Sequence, residues 1–388
     1  MKNILFIGLT CLLCLYSCQT RTETSTASYD IELVEAKKIT LPVDENTYYM
    51  SRIMFQFEED GKEYLLFQNT EKTLYDLIVF DIEQQKVAHR IPLQKEGPNG
   101  VSSVFGCKPF FNSDTLLLFQ HNIGRTSIYT KKGELVKSYS ARFPDGGFRH
   151  NQVFSYLYQP GFIKDSVVYI ADKGLSRNMK KKDWLKAHLF TAQDLRTGNV
   201  WKLPLTYPSV FDMEVKNPAG GEGFSYDYNH SQERLVCSFC GYDSIMVTDD
   251  LQNVRWYNGK SRFLESMRPH VYEASGLNWL REYKESGKYW HFMYDKYRDV
   301  YYRFAKMPCE LGPGEYPMDE PKAREFSIII FDKDFNIIGE TKFPGNKYFY
   351  KMSFVGRDGL YISENNLANP DFDENKLVFA CFKLEDVN

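Results

Sequence analysis

The chain lacks a strong excess of charge of either sign. Its 388 residues carry 48 Lys and Arg against 51 Asp and Glu, which gives a formal net charge of −3 at neutral pH. Proteins that hold a nucleic-acid backbone usually present a basic patch and a high isoelectric point. The balance here therefore argues against nucleic acid as a partner.

Motifs of common enzyme chemistry are also missing. The sequence contains no G-x-S-x-G nucleophile elbow, no H-E-x-x-H zinc motif, no phosphate-binding P-loop and no D-x-D-x-D-G calcium loop. Its 7 His are scattered, and acidic stretches such as 371–375 are typical of solvated turns. We expect no metal and no cofactor, and the sequence names no reaction.

Cysteine is scarce in the region expected to fold. The cysteines that follow residue 18 are Cys107, Cys237, Cys240, Cys309 and Cys381. An odd set without regular spacing does not fit a disulfide framework, even in an oxidising compartment. Cys237 and Cys240 have C-x-x-C spacing, but residues three apart on a strand point to opposite faces. We predict buried thiols rather than a redox pair or a zinc knuckle.

The apolar run near the N-terminus, Ile4–Leu15, is too short to span a bilayer. It follows Lys2 and ends in Leu15-Tyr16-Ser17-Cys18, which resembles a bacterial lipobox. The resemblance implies cleavage before Cys18 and attachment of lipid to that residue. Residues 19–28 are polar and rich in Thr and Ser, as expected of a flexible tether.

These features divide the chain into three segments. We expect a lipoprotein signal peptide at 1–17, a lipidated Cys18 with a flexible tether at 18–29, and a folded domain at 30–388. Acyl chains would then hold the protein to a membrane, which makes the bilayer its first partner. An ordinary signal peptide cleaved elsewhere is the alternative.

Aromatic residues are abundant, at 16% with 27 Tyr and 29 Phe, and strands favour them. One apolar run recurs along the chain, each time between an acidic or Gly-containing turn and a polar cluster, and its copies end 51 to 68 residues apart. The copies are Tyr64–Phe67, Leu116–Phe119, Val167–Ile170, Leu235–Ser238, Val300–Arg303 and Leu360–Ser363. Such a period indicates a repeat architecture.

Each run is flanked by further strand candidates joined by turn residues, which makes four strands per unit. The last unit lacks its outer strand, and the strand candidate Ile31–Leu41 can supply it, since closure removes exposed strand edges. We predict an all-β fold, a six-bladed β-propeller of four-stranded blades, closed by an N-terminal strand that completes the last blade. A two-domain β-sandwich is the alternative fold.

At this point the chain resembles the six-bladed, TolB-like propellers and, more narrowly, an uncharacterised family of Bacteroidetes propeller lipoproteins. The local marker of the resemblance is Lys95-Glu-Gly-Pro-Asn-Gly100, and Leu311-Gly-Pro-Gly-Glu-Tyr316 is similar to it. Both are turn formers, because Pro fixes φ and Gly supplies positive φ. The resemblance implies a cell-envelope protein and carries over no catalytic residue.

Connection lengths differ between the two predicted faces of the ring. Connections from the first to the second strand and from the third to the fourth are short. The other set holds the long segments Gly174–Ala187, Thr206–Gly223, Arg262–Lys288, Lys306–Arg324 and Asn365–Asn375. Long loops in compact domains usually carry function, so we assign ligand binding to the long-loop face.

Polar residues follow the second strand of several units on that face. The predicted ligand-binding residues are Asn69, His121, Arg125, Arg149, His150, Arg303 and Asn365. Amide, imidazole and guanidinium groups at a channel mouth suit a glycan, a peptide or an envelope protein as ligand. The alternative is a water-filled channel whose polar lining serves solubility. Two insertions look locally helical, at Ser266–Lys284 and at Met179–His188 with its lysine run.

We favour a membrane-anchored binding protein without enzymatic activity. The alternative is an enzyme of the lactonase or sugar-dehydrogenase kind, because fold alone does not decide function. Such an enzyme would hold a metal at the channel mouth, and the contributors to consider are Glu96, Glu222, Asn69 and Asn365. Residues 19–23 lack a run of acids, so we expect the periplasmic face of the outer membrane rather than the cell surface.

Overall fold

The computed structural model describes residues 22–23, 25–45, 47–51, 53–69, 76–101, 107–110, 114–120, 125–140, 158–172, 187–211, 223–267, 277–312, 314 and 324–387. These residues form mostly β-strands, with a helix α1 (Leu277–Glu285) and a 3-10 turn at Ser209–Phe211. Of the predicted helical insertion 266–284, residues 277–284 are helical and 266–267 are not. Residues 268–276 of this insertion and 179–186 of the other lie outside the described residues. No helix in the described part combines the length and apolarity that a membrane span requires.

The strands of the first half of the chain are β1 (Thr22–Glu23), β2 (Ala27–Pro42), β3 (Met54–Glu59), β4 (Lys62–Gln68), β5 (Leu77–Asp81), β6 (Lys86–Ile91), β7 (Cys107–Phe110), β8 (Thr115–Gln120), β9 (Arg125–Thr130), β10 (Leu135–Ser140), β11 (Phe162–Lys164), β12 (Val167–Ala171), β13 (Phe190–Asp194) and β14 (Val200–Lys202). Those of the second half are β15 (Phe224–Asn229), β16 (Arg234–Phe239), β17 (Ser244–Thr248), β18 (Arg255–Asn258), β19 (Lys288–Asp295), β20 (Val300–Lys306), β21 (Phe326–Phe331), β22 (Ile337–Phe343), β23 (Phe349–Gly356), β24 (Gly359–Ser363) and β25 (Lys376–Asp386). Runs such as Phe326–Phe331 are strands because β-branched and aromatic side chains suit a pleated, buried surface.

The fold is all-β and propeller-like, built from antiparallel blades of four strands. Strands β3–β6, β7–β10 and β11–β14 form three separate sheets, and β15–β18 form a fourth with β1 added at its outer edge. The first strand of each blade is the inner one. Inner strands contact each other in the order β15, β19, β23, β3 and β7, which places them around a common centre.

The predicted six separate blades are wrong. The remaining strands form a single eight-stranded sheet in the order β19-β20-β21-β22-β2-β25-β24-β23. Strand β2 causes the merger because it is hydrogen-bonded at both edges, in parallel to β22 and antiparallel to β25. It is 16 residues long, well beyond the usual strand, so its start and its remainder serve different neighbours.

Glycine makes the approach of β2 to β22 possible. Ala27 lies opposite Ile337 and Ile31 opposite Gly339 in the parallel pairing. A Cβ on residue 339 would lie 2.0 Å from the carbonyl oxygen of Ile31, so no other residue fits without displacing the strand. The merged sheet therefore depends on a glycine that the repeat pattern alone does not reveal.

Apolar side chains fill the spaces between neighbouring blades. Between β11–β14 and β15–β18, for example, Phe162 stacks on Tyr228 with ring centroids 4.3 Å apart, and Phe190 packs edge-on against Tyr226 at 4.7 Å. Such aromatic pairs contribute about 0.5–1.5 kcal/mol beyond the burial of their area. The predicted buried thiols are present at Cys237, Cys240 and Cys381, and burial raises the pKa of Cys237.

The two faces of the molecule differ in their connections. On one face, which we call the short-connection face, the strands are joined by two to six residues, as at 60–61, 82–85, 165–166, 230–233, 249–254, 296–299, 332–336 and 357–358. On the other, the long-connection face, strand bounds leave up to 29 residues, at 259–287. The predicted asymmetry in length is confirmed.

The turns of the short-connection face are locally built. Every non-glycine residue with positive φ in the described part lies in one of them: Asp60, Gln85, Asp165, Ser166, Glu233, Leu251, Asp299 and Phe335. Side-chain carboxylates brace several turns; Asp250 Oδ1, for instance, accepts from the backbone amides of Gln252 and Asn253 at 2.9 and 2.8 Å. These turns connect the strands of hairpins, and their few residues are used to form the turn itself.

Candidate ligand-binding face

The predicted ligand-binding residues fall into two groups. His121, Arg149 and His150 lie outside the described residues, as do Cys18 and Glu222. The structure describes Asn69, Arg125, Arg303 and Asn365. Arg125 begins β9 and Arg303 lies inside β20, whereas Asn69 and Asn365 lie in the connections that follow β4 and β24.

Arg303 is fully buried, and its guanidinium bonds to other residues of the same chain. Its guanidinium lies 3.4 Å from the centroid of the Tyr289 ring. Its hydrogen bonds go to Ser238 Oγ and to the carbonyl oxygens of Phe239, Tyr242, Asp243 and Gly259. Burial lowers the pKa of Arg303 to about 10. We assign this arginine to the internal structure of the neighbouring sheet rather than to ligand binding.

Asn365 is also used internally. Its Nδ2 donates to the carbonyl oxygen of Lys376 at 2.6 Å, and its Oδ1 accepts from the amide of Val378 at 2.9 Å. The side chain therefore ties the end of β24 to the start of β25. Asn69 is fully buried just after β4, where its backbone N–H donates to the carbonyl oxygen of Asp76 at 3.3 Å.

Among the described members of the predicted set, Arg125 is exposed, at the start of β9 opposite Gln120. Glu96, proposed for the enzyme alternative, is exposed in the turn after β6, whereas Asn69 and Asn365 are buried. Within the described ranges, no three or more His, Cys, Asp or Glu side chains are grouped so that they could hold a metal ion.

Two neighbouring inner strands carry β-bulges near the long-connection face. On β19, Tyr289 lies opposite Ala305 and Phe292 opposite Arg303, so Trp290 and His291 share a single partner position. On β23, Phe349 lies opposite Ser363 and Ser353 opposite Ile362, which leaves 350–352 outside the register. Bulges re-aim side chains and are frequent beside functional sites.

Aromatic and cationic side chains meet at these bulges. We call them the bulge cluster, and its members are Tyr158, Trp290, His291, Lys306, Tyr350 and Lys351. The rings of Trp290 and Tyr158 have centroids 5.1 Å apart. Lys306 Nζ lies 4.8 Å and Lys351 Nζ 5.4 Å from the centroid of Trp290. Two ammonium groups from two strands are thus held at one indole ring.

The bulge cluster has a buried part and a partly exposed part. Lys306 and Tyr350 are buried, with Lys306 only 2% exposed, and its Nζ lies 5.8 Å from the centroid of the Tyr350 ring. Trp290, Lys351 and Tyr158 are partly exposed. Behind them, Ser353 Oγ lies 3.5 Å from Nδ1 of the buried His291, which connects the two bulges.

The sequence does not predict the bulge cluster, because a bulge is a property of strand register. Only a weak signal exists: Tyr289, Trp290, His291 and Phe292 follow one another, so the alternation of inward and outward side chains is broken there. Lys351 stands in a similar unbroken run of large residues.

The opposite end of the inner strands is closed by paired charges. Glu58 accepts from Arg357 and from the hydroxyl of Tyr297, and Lys296 Nζ lies 3.1 Å from it. These residues come from the hairpins β3–β4, β19–β20 and β23–β24. The hydrogen bond from Arg357 is the main cause that lowers the pKa of Glu58 to about 2. We call Glu58, Lys296, Tyr297 and Arg357 the hairpin network.

Comparison with known proteins agrees with the fold. A crystal structure of a DUF4221 family member from Bacteroides vulgatus is 54% identical, covers 92% of this chain and 99% of its own, and superposes with a TM-score of 0.87. A candidate exported protein from Bacteroides fragilis is 9% identical, with 94% and 98% covered and a TM-score of 0.55, and it shows the fold alone. No curated protein matches the chain.

The sequence family is identified by a match over most of the folded region. The family model described as a domain of unknown function, DUF4221, matches residues 30–342, which include the Lys95–Gly100 marker. Together with the 54% identity, this match shows that the chain belongs to the DUF4221 family.

Proposed function

We propose that this DUF4221 protein is a lipid-anchored binding protein of the cell envelope that presents its long-connection face away from the membrane. The anchor is Cys18 of the lipobox-like stretch, at the periplasmic face of the outer membrane. The ligand is a glycan, a peptide or an envelope protein. The path of the chain at the start of β2 carries this proposal.

Strand β2 begins at the short-connection face. The amide and hydroxyl of Thr26 both donate to Asn336 Oδ1, at 3.1 and 2.9 Å, and Asn336 belongs to the turn between β21 and β22. Thr26 is eight residues further along the chain than Cys18, with seven residues between them, and an extended chain spans at most about 3.3–3.6 Å per residue. The anchor therefore stays within roughly 30 Å of that turn.

Part of the segment expected to be a flexible tether is itself bound to the fold. Thr22 lies opposite Trp256 and Glu23 opposite Tyr257 in the pairing of β1 with β18. This pairing draws the chain along the outer edge of a blade, again starting from the short-connection side. The short tether and its exit point support an orientation in which long connections face outward.

The orientation can be tested in vesicles that carry a quencher on the lipid headgroups. A fluorophore is placed on Lys333→Cys in the turn 332–336, or on Asp371→Cys in the long connection 364–375, each in a Cys309→Ser background because Cys309 is the partly exposed thiol among the described cysteines. We expect stronger quenching at 333 than at 371. Stronger quenching at 371 would overturn the orientation, and vesicle binding by Cys18→Ala would overturn the anchor.

Binding itself is tested with a screen of glycans, peptides and envelope proteins. A ligand of the long-connection face loses affinity when Arg125, which is exposed there, becomes Ala. Each hydrogen bond to a charged group contributes about 1.5–3 kcal/mol, so a loss of about tenfold or more is expected. Lys333→Ala on the short-connection face is the matched control. The proposal fails if the control loses affinity and Arg125→Ala keeps it.

A further inference from the structure

We propose that the long-connection face binds a basic peptide segment with apolar side chains, at an aromatic patch formed by Tyr48, Tyr49 and Phe372. The inference rests on the proposed binding function and adds the site and the chemical class of the ligand. Two connections build the patch: residues 43–53, between β2 and β3, and residues 364–375, between β24 and β25.

The three rings of the aromatic patch contact each other and stay partly open to solvent. The ring centroids of Tyr48 and Tyr49 lie 4.6 Å apart, and those of Tyr49 and Phe372 lie 5.1 Å apart with the rings at 71°. Tyr49 also packs against the buried core, all three rings are partly exposed, and Leu367 in the second connection is 50% exposed. Apolar surface that stays exposed and contiguous is typical of interaction sites.

Hydrogen bonds hold the first connection in place just before the two tyrosines. Thr47 Oγ1 donates to Asp44 Oδ1 at 2.7 Å, and Arg90 Nη2 donates to Asp44 Oδ2 at 2.6 Å. The backbone N–H of Val43 donates to the carbonyl oxygen of Asn375 at 3.1 Å, which joins the two connections. A surface that is already ordered loses less conformational entropy when a ligand binds to it.

The second connection uses its polar side chains to hold its own backbone. Asn366 Nδ2 donates to the carbonyl oxygens of Gly345 and Tyr348, both at 2.9 Å. Asn369 Nδ2 donates to a carbonyl oxygen of the same connection at 2.9 Å. Leu367, which lies between these asparagines in the chain, is exposed instead. The asparagines thus stabilise the loop, and an apolar side chain is left at its surface.

Negative charge accompanies the aromatic patch. Residues 43–53 and 364–375 contain six Asp and Glu against a single Arg, Arg52, which lies outside the described residues. The acids that form ion pairs with Lys or Arg of the fold are Asp44, Glu364 and Asp373. Asp371 and Glu374 are exposed, and neither is paired with a residue in the described part of the chain. Carboxylates beside aromatic rings favour a cationic partner that also carries apolar groups.

The same charge disfavours two other occupants of the patch. A second copy that docked symmetrically through this surface would place its acids against the same acids, and like charges across an interface cost affinity. An uncharged glycan could stack on the rings but would gain no attraction from the excess of negative charge. Both occupants are therefore included in the experiment as competitors.

The experiment uses the purified full-length protein in detergent and short peptides of equal length, capped at both ends. One peptide alternates Lys with Phe, a second alternates Glu with Phe, and a third alternates Lys with Ser. Galactotriose serves as the uncharged glycan. We expect the Lys–Phe peptide to bind at least about tenfold more tightly than each other probe, with an affinity that falls as salt rises.

Two variants separate the apolar from the charged contribution. Phe372→Ala should weaken binding of the Lys–Phe peptide about tenfold, because it removes apolar surface from the contact. Asp371→Asn combined with Glu374→Gln should reduce the preference for the Lys–Phe over the Glu–Phe peptide to about threefold or less, because it removes the exposed charges.

Matched controls separate the aromatic patch from the rest of the surface. Trp201→Ala removes a ring that is 39% exposed on β14. Glu83→Gln combined with Asp334→Asn removes two exposed acids from turns of the short-connection face. Both controls should bind the Lys–Phe peptide like the unaltered protein, and thermal melting verifies that every variant is folded.

Four results would overturn the inference: no binding of the Lys–Phe peptide up to about 10 mM; equal or tighter binding of any other probe; unchanged binding in either patch variant; or dimers in sedimentation that Phe372→Ala abolishes, which would make a second copy the occupant. If one of these occurs while Arg125→Ala still weakens another ligand found in the screen, the binding function stands, and only the patch and its ligand class are wrong. If no ligand is sensitive to any variant of the long-connection face, the binding function fails as well.

Discussion

The two ends of inner strand β19 differ in what their side chains do. At the short-connection end, Asp295 accepts from the amides of Tyr297 and Arg298, at 3.0 and 3.1 Å, and from the hydroxyl of Tyr302 at 3.0 Å. At the long-connection end, the register breaks and Trp290 stands partly exposed beside two lysines. One end is specified by its own turn, whereas at the other end Trp290 packs against the core and still remains partly exposed.

Three hairpins are joined to each other at the short-connection end. The hairpin network links them through Glu58. Buried polar groups are expected to be hydrogen-bonded, and networks of this kind fix one arrangement of the strands. If ligand binding is confined to the long-connection face, as proposed, the structural and functional roles separate along the strand axis.

The largest expected effect concerns Arg303, which lies between the two ends. If its role is structural, Arg303→Met leaves carbonyl groups such as those of Tyr242 and Gly259 without their donor. Removing one partner of a buried charged network costs about 3–5 kcal/mol. Urea unfolding should show this loss, while ligand affinity of the remaining folded protein stays unchanged.

The control for this change is Arg303→Lys. Lysine keeps the charge but cannot offer five donors in a planar fork, so it should be nearly as unstable as Met. A folded Arg303→Met protein with an unchanged unfolding midpoint but lost ligand binding would return Arg303 to the predicted ligand set.

The next effect concerns the merged sheet. Gly339→Ala places a methyl group 2.0 Å from the carbonyl oxygen of Ile31, so β2 must move away from β22. Overpacking of this kind costs about 1–3 kcal/mol, and proteolysis should reach the N-terminal part of β2 sooner. Gly61→Ala is the comparison for strain without a clash: its new Cβ has no atom within 4 Å, but its positive φ strains Ala by about 1–2 kcal/mol. Only Gly339→Ala should expose β2 to proteolysis, and unchanged proteolysis of β2 in that variant would contradict the close approach.

A smaller effect should appear in acid. The folded pKa of Glu58 is about 2 against an ordinary value of 4.5, so its contribution is complete above about pH 4.5 and is lost as the pH falls toward 2. Glu58→Gln should therefore be less stable than the unaltered protein at pH 7, and this difference should shrink below pH 4. Because Glu58 is about one-third exposed, we expect about 1 kcal/mol or less.

Thermal melting from pH 7 to pH 2.5 measures the comparison. Glu83→Gln, in the exposed turn between β5 and β6, is the matched control and should show no such pH dependence. A constant difference between Glu58→Gln and the unaltered protein at all pH values would show that the carboxylate charge is not what joins the hairpins.

Local pattern predicted the strands and the unequal connections, but not how strands share edges. Apolar runs such as Leu116–Phe119 lie within strands because their neighbours are turn formers. The pairing of strand β2 was harder to predict, since its alternation of charged and apolar residues fits an outer edge strand. Nothing in that alternation reveals that Gly339 lets a second strand bind the other side of it.

The ligand-binding residues were harder still, because a charged residue after an apolar run has the same sequence signature whether it faces solvent or a neighbouring blade. Arg303 and Arg125 were grouped on that signature, yet one is fully buried among carbonyl groups and the other is exposed. The sequence does not predict that Trp290 and Lys351 lie close together, because their positions depend on bulges and register is set by pairing between distant segments.

The smallest expected effect tests whether the short-connection turns are as self-contained as their geometry indicates. Asp60 and Gly61 have φ values of 49° and 75° and form the two-residue connection of the β3–β4 hairpin. Positive φ at both positions favours Asn, Asp and Gly. Asp60→Ala should cost about 1 kcal/mol, because a Cβ without a compensating polar group is strained in this region. Asp60→Gly relieves the strain but adds freedom to the unfolded chain, so its net effect should stay within about 0.5 kcal/mol.

Neither Asp60→Ala nor Asp60→Gly should change ligand affinity on the opposite face. A change in affinity of threefold or more in either variant would show that the two ends of the inner strands are coupled. Structural and functional roles would then not be separated along the strands.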